Sequence, residues 1–171
     1  MVVSATRGQA GQIRSAKVAT RRTLGQVREQ ELRLACQRLG VQHVVCLDHG
    51  DGMLKEVDQE VLIGQVVEII RSFRPDIVIT FGPDGGYGHP DHIAIGTATT
   101  AACMRSGDNT QFPEQIAAGL APHRPVRLYH SHFPAKRQLL LESVLTKYAY
   151  CLPWTRRRRS YYQPLRPQRT R

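Results

Sequence analysis

The run Asp76-Ile77-Val78-Ile79-Thr80, continuing into Phe81-Gly82-Pro83-Asp84-Gly85-Gly86-Tyr87-Gly88-His89-Pro90-Asp91-His92, sets the fold and the chemistry together. Its first five residues have the continuous apolar form of a strand covered on both faces of a parallel sheet. The strand opens at its carboxyl end into a loop with four glycines, Gly82, Gly85, Gly86 and Gly88, which let the backbone pass close to a ligand. Ligands of open α/β sheets gather at the carboxyl ends of strands, so chemistry is expected in this loop. Proline is well tolerated at a first helical position, which makes His89 the N-cap and puts His92 on the first turn. Residues three apart share a helix face, so both imidazoles can enter one cleft, one facing a metal and the other a substrate oxygen. Spacing alone leaves a plainer alternative open, because histidine and aspartate are common at helix starts.

Working outward, Arg74-Pro75 closes a helix whose apolar side is Val57, Val61, Leu62, Val66, Val67, Ile69, Ile70 and Phe73. Upstream of it, Val41–Leu47 reads as a buried strand and residues 48–52 as the loop after it. Leu24, Val27, Leu32, Leu34, Ala35 and Leu39 recur at helical spacing up to Gly40, a helix of about four turns. Val2–Ala5 reads as a strand end running into the turn-rich residues 6–11, so the chain is expected to begin mid-fold. Downstream, the pattern predicts a strand over 126–130 and a helix over 136–148, and the end of the fold is placed near Trp154. The β-α-β-α order predicts an α/β protein, a Rossmann-like three-layer sandwich with a mainly parallel sheet.

Length supports one domain: 171 residues is close to the commonest domain size. The expected domain is 1–154, followed by a basic, disordered tail over 155–171. No run approaches the roughly 18 apolar residues needed to cross a bilayer, and the N-terminus lacks a signal layout, so a soluble, cytoplasmic protein is expected. Cys36, Cys46, Cys103 and Cys151 form no paired spacing and read as reduced thiols. The net charge of +10 is uneven: residues 1–33 carry seven basic and two acidic side chains, 34–155 ten and twelve, and 156–171 seven arginines without an acid. The body is therefore not a basic nucleic-acid reader, and any polyanion binding is expected from the arginine-rich end.

The segment from Pro75 to His92, continuing into the helix beyond it, resembles the LmbE-like, or PIG-L, family of zinc-dependent N-acetylglucosaminyl deacetylases. Residues 6–11, 28–32, 47–52 and 128–130 agree with it, so the resemblance covers about residues 2–132. It implies a hydrolase in which water activated by Zn2+, or another divalent ion, attacks the acetamide of a small amino-sugar glycoside. It implies His92 as a metal ligand and His89 as the group that stabilises the oxyanion or protonates the leaving amine, with Asp91 orienting or tuning His89. Arg28 and Asp51 fall on positions expected to contact the sugar; spacing equally allows Arg28 an i,i+3 pair with Glu31, and Asp51 an ordinary turn role.

The family's other hallmark, Ala-His-Pro-Asp-Asp-Glu after the first strand, is not in this sequence. The expectation is that the first β-α unit is missing and that metal binding is weakened; Asp48, His49, His130 and His132 are the candidate stand-in ligands, although nothing in their spacing directs them to His92. A missing central strand would leave unpaired edges open to another chain, including a homo-oligomer. The competing expectation is an inactive family member acting as a sugar-binding or interaction remnant.

Overall fold

The computed structural model describes residues 1–13 and 15–131. The sequence expectations for the 136–148 helix, Trp154, the arginine-rich end, His132 and Cys151 lie outside the described residues. In chain order the elements are β1 (Val2–Thr6), α1 (Leu24–Arg38), β2 (Val44–His49), a 3-10 turn (Leu54–Glu56), α2 (Gln59–Phe73), β3 (Ile77–Phe81), α3 (Gly85–Gly88), α4 (Pro90–Arg105), α5 (Pro113–Ala117) and β4 (Arg127–Ser131).

Helix ends follow local chemistry. Asp58 caps α2 by accepting from the Glu60 N–H at 2.9 Å. At its other end Arg74 takes a left-handed conformation, φ 55° and ψ 54°, and its N–H bonds back to the Ile70 carbonyl. The stop before Pro75 is thus an αL turn rather than the extended residue that proline usually imposes. Gly40, φ 74°, ends α1 as the spacing predicts.

The core lies between α2 and α4. Leu54, Leu62, Val67 and Ile70 pack with Ala94, Ala98 and Ala102, and Ala5, Val78 and Leu128 of the strands lie against this cluster. Small residues on α4 let it sit close to β3: a Cβ on Gly96 would stand 2.6 Å from the Phe81 carbonyl oxygen. Arg71 of α2 is buried and makes no direct carboxylate ion pair among the described residues. Its guanidinium is satisfied instead by the carbonyls of Ser106, Asp108, Gln111 and Phe112 and by Gln115 Oε1, which gathers the segment after α4 around it.

All strand pairing among the described residues is parallel, as expected for the α/β class. Hydrogen bonds, however, divide the strands into two pairs, β1 with β2 and β3 with β4. β3 also departs from the expectation of a strand covered on both faces: Val78 packs on the core, whereas Ile77 is 54% and Ile79 73% exposed. Alternation explains this, because successive side chains of a strand point to opposite faces and only one face here meets α2 and α4.

Candidate active site

Strands β1 and β3 line one cleft of about 770 Å³ along their length. Its walls are β1 and β3, its floor is apolar surface of α2 and α4, and at one end stand His89, Asp91 and His92, with Asp51 and Arg28 beside them. Of the residues expected from the sequence to form the site, all five line this cleft.

His89 caps α4 with its ring. Its φ of −71° and ψ of 125° are extended, and Nδ1 accepts from the Asp91 N–H at 3.2 Å. A ring nitrogen that accepts carries the lone pair, so in the neutral imidazole the proton sits on Nε2. His92, one turn on, is held the opposite way: Nδ1 lies 3.0 Å from the Gly85 carbonyl oxygen, which can only accept. The proton therefore sits on Nδ1 and the lone pair on Nε2. The His92 ring stacks on Phe81 with centroids 4.0 Å apart and is 4.7 Å from the His89 ring. Burial pulls the His92 imidazole below its ordinary value and outweighs the Gly85 carbonyl, which raises it. The site thus offers an N–H donor and a nitrogen lone pair side by side.

Gly85 makes this possible. Its φ is +60°, and a Cβ there would meet Ile93 Cγ1 at 2.8 Å. Only glycine lets the loop fold back far enough for its carbonyl to reach the His92 ring. Tyr87, exposed at the cleft, stands edge-on to both imidazoles at 5.9 and 5.1 Å. Sequence reasoning passed over Tyr87 and Phe81; the place of Phe81 at the strand end just before the glycine loop, and of Tyr87 inside that loop, was the available signal.

Asp91 is buried, yet its carboxylate does not contact the His89 ring through any hydrogen bond among the described residues. One oxygen accepts from Gly52 N–H at 2.6 Å and the other from Leu54 N–H at 3.2 Å. Its link to His89 is through its own backbone N–H. Asp51 is likewise engaged, accepting from Ala10 N–H at 2.9 Å and from Thr6 Oγ1 at 3.4 Å, so it ties the loops after β1 and β2. Arg28 is exposed and pairs loosely with Glu31 at 3.7 Å. Asp48 meets Arg7, His49 Nε2 meets Gln65 Oε1, and His130 Nε2 meets Thr100 Oγ1; none of the three lines the cleft. Among the described residues, no three His, Cys, Asp or Glu side chains are grouped to hold a metal. Catalytic zinc normally takes three protein ligands, so the donors present do not by themselves fit that ion.

Comparison with known proteins bears on the same region. The chain is 29% identical over 163 residues to a 1D-myo-inositol 2-acetamido-2-deoxy-alpha-D-glucopyranoside deacetylase of Kineococcus radiotolerans, covering 74% of this chain and 45% of that protein. It is 30% identical over 148 residues to a mycothiol S-conjugate amidase of Streptomyces coelicolor, covering 77% of this chain and 50% of that one. The chain thus spans half or less of the length of these curated relatives. The solved N,N'-diacetylchitobiose deacetylase of Pyrococcus horikoshii shares the fold, with a TM-score of 0.65 and 22% identity over 84% of this chain and 57% of that one. Residues 1–103, the part that holds β1 to β3, the glycine loop, both imidazoles and most of α4, match the family described as PIG-L, GlcNAc-PI de-N-acetylase, and the chain belongs to that family.

Proposed function

We propose that this chain carries the acid and substrate-binding side of an amide hydrolase that removes the acetyl group from a small N-acetylglucosaminyl glycoside. The observation that carries it is the pair of opposed imidazoles at the strand ends. An acetamide under attack develops negative charge on its carbonyl oxygen and needs a proton on its departing nitrogen. The His89 Nε2–H is a donor at the cleft able to stabilise that oxygen and later to protonate the amine. His92 presents an electron pair suited to one position of a metal centre or to an acidic hydrogen. Phe81 and the Gly85 carbonyl fix its plane, and a partner on the far ring nitrogen orients and strengthens a histidine as a ligand. Asp91 acts as a positioning residue through the loop it anchors, and Arg28, loosely paired at the rim, is free to turn toward sugar hydroxyls.

The relatives named as deacetylase and amidase support the amide-hydrolase class, and the first of them supports a glucosaminyl inositol as the substrate to try. The proposed setting is the cytoplasm; among the described residues no helix is long and apolar enough to cross a membrane. A second reading, a sugar-binding chain without turnover, is favoured by one observation, that no three ligating side chains are grouped among the described residues.

The test is a titration with N-acetylglucosaminyl inositol, following acetate release and the ring signals of His89 and His92 by NMR, with and without added Zn2+. The proposal expects both rings to shift, and any acetate release to be lost in His89→Ala. Ring shifts without acetate select the second reading. Unmoved rings and no acetate would reject both.

A further inference from the structure

A second hollow, of about 550 Å³, shares Arg28 with the cleft that holds the imidazoles. One face of α1 forms part of its wall. Leu24, Val27, Arg28 and Glu31 line it, and positions i, i+3, i+4 and i+7 of a helix point the same way. The loop after β1 contributes to both spaces: its Gly8 and Gly11 line the cleft, and its Gln12 and Ala19 line the second hollow. Arg21 Nη1 donates to the Gly11 carbonyl at 2.8 Å and ties this loop to the turn before α1. The Arg28 side chain passes Gly8 on the cleft side, where an added Cβ would stand 3.6 Å from its Nε.

The lining is divided in character. Ala19 and Leu24 are buried and Val27 is half-buried, which gives an apolar surface. Arg28 and Glu31 meet at 3.7 Å with each side chain 56% exposed, which gives a charged end. A long, exposed ion pair holds its side chains weakly, so both can turn to a ligand. The volume falls within the range of small-molecule sites, where an apolar lining supplies affinity and a few polar groups set orientation. A sugar seated beside His89 has the cleft side of Arg28 within reach, and only a group attached to that sugar reaches the far side. A purely polyhydroxy group would suit Arg28 and Glu31 but would set hydroxyls without partners against Leu24 and Val27.

We propose that the second hollow receives the group attached to the amino sugar. The preferred group is amide- or hydroxyl-bearing next to the sugar, where it meets Arg28 and Glu31, and apolar beyond, where it meets Ala19, Leu24 and Val27. The inference rests on the hydrolase reading for what fills the cleft and adds the part of the substrate that the cleft does not hold. Val27 and Leu24 thereby determine specificity without touching the reacting atoms.

The test titrates the full chain with three glycosides of N-acetylglucosamine in one anomeric form: methyl, 2-(acetylamino)ethyl and 2-(benzoylamino)ethyl. NMR follows the histidine rings for the cleft and the methyl groups of Ala19, Leu24 and Val27 for the second hollow, and the titrations give Kd. The expected result is that all three glycosides move the rings, that the benzoyl glycoside also moves the three sets of methyl signals, and that it binds at least fivefold tighter than the acetylamino one. Val27→Asp, checked for folding by circular dichroism, should lower that ratio at least threefold. A ratio below fivefold, rings that move while the methyl groups stay, methyl groups that move while the rings stay, or a smaller drop in the folded variant would overturn the proposal. Where the variant does not fold, the shifts and affinities of the unaltered chain decide. Rings unmoved by every glycoside mark failure of the hydrolase reading, and the present inference falls with it; rings that move without the methyl groups reject this inference alone.

Discussion

Replacing Asp91 by alanine separates two roles for this carboxylate, holding the fold and serving the His89 ring. The side chain is 4% exposed and accepts from two backbone N–H groups, Gly52 at 2.6 Å and Leu54 at 3.2 Å. Hydrogen bonds to a charged group contribute about 1.5–3 kcal/mol each. Gly52 is exposed and regains a water partner in the variant, but the Leu54 N–H is buried with a side chain in the core. The carboxylate also faces the positive end of α4, an interaction of about 0.3–1 kcal/mol. Together these give an expected loss of about 3 kcal/mol for Asp91→Ala and about half of that for Asp91→Asn, which keeps one acceptor. At about 4 °C per kcal/mol for a domain of this size, the alanine variant should melt about 12 °C lower. Urea unfolding followed by circular dichroism measures the difference, and hydrogen exchange at Leu54 localises it. A loss below about 0.5 kcal/mol with unchanged exchange at Leu54 would refute the anchoring role.

Three further outcomes follow from the packing and charge. Gly96→Ala puts a methyl group 2.6 Å from the Phe81 carbonyl oxygen, so α4 must move off β3. The expected cost is about 1–3 kcal/mol in urea unfolding, together with a changed His92 ring environment by NMR. Burial pushes the Cys103 thiol up to about 11, leaving about one thiolate in a thousand at pH 8, so iodoacetamide should label Cys46 well before Cys103 in peptide mapping. Arg105 donates to both oxygens of Glu60 and holds its carboxyl below the ordinary value. That contribution is present above the unfolded carboxylate value and is lost as pH falls through the lower folded one. Glu60→Gln should therefore flatten the stability profile on the acid side of about pH 4.5 and leave its shape near neutrality unchanged.

What could be read from the sequence was local. Pro90 fixes where α4 begins, so the His89 cap and the one-turn spacing to His92 follow from three adjacent residues. Helix bounds followed from apolar periodicity and from Gly40. What could not be read depends on pairing between distant residues. The partners of Asp91 lie 37 and 39 positions away, and those of Asp51 lie 41 and 45 away, so no spacing rule assigns either carboxylate to backbone anchoring. The bare face of β3 was hidden because Ile77 and Ile79 look the same in sequence whether or not a layer covers them. The short helices α3 and α5 were missed because Gly85–Gly88 has almost no apolar pattern and Pro113–Ala117 is barely longer than one turn.

The opposed imidazoles are the claim on which the functional account turns, and nitrogen-15 NMR of histidine-labelled protein at neutral pH reads them directly. Long-range proton–nitrogen correlations report which ring nitrogen bears the hydrogen. The account predicts the proton on Nε2 of His89 and on Nδ1 of His92. The same tautomer at both rings, or the reverse assignment, would contradict it.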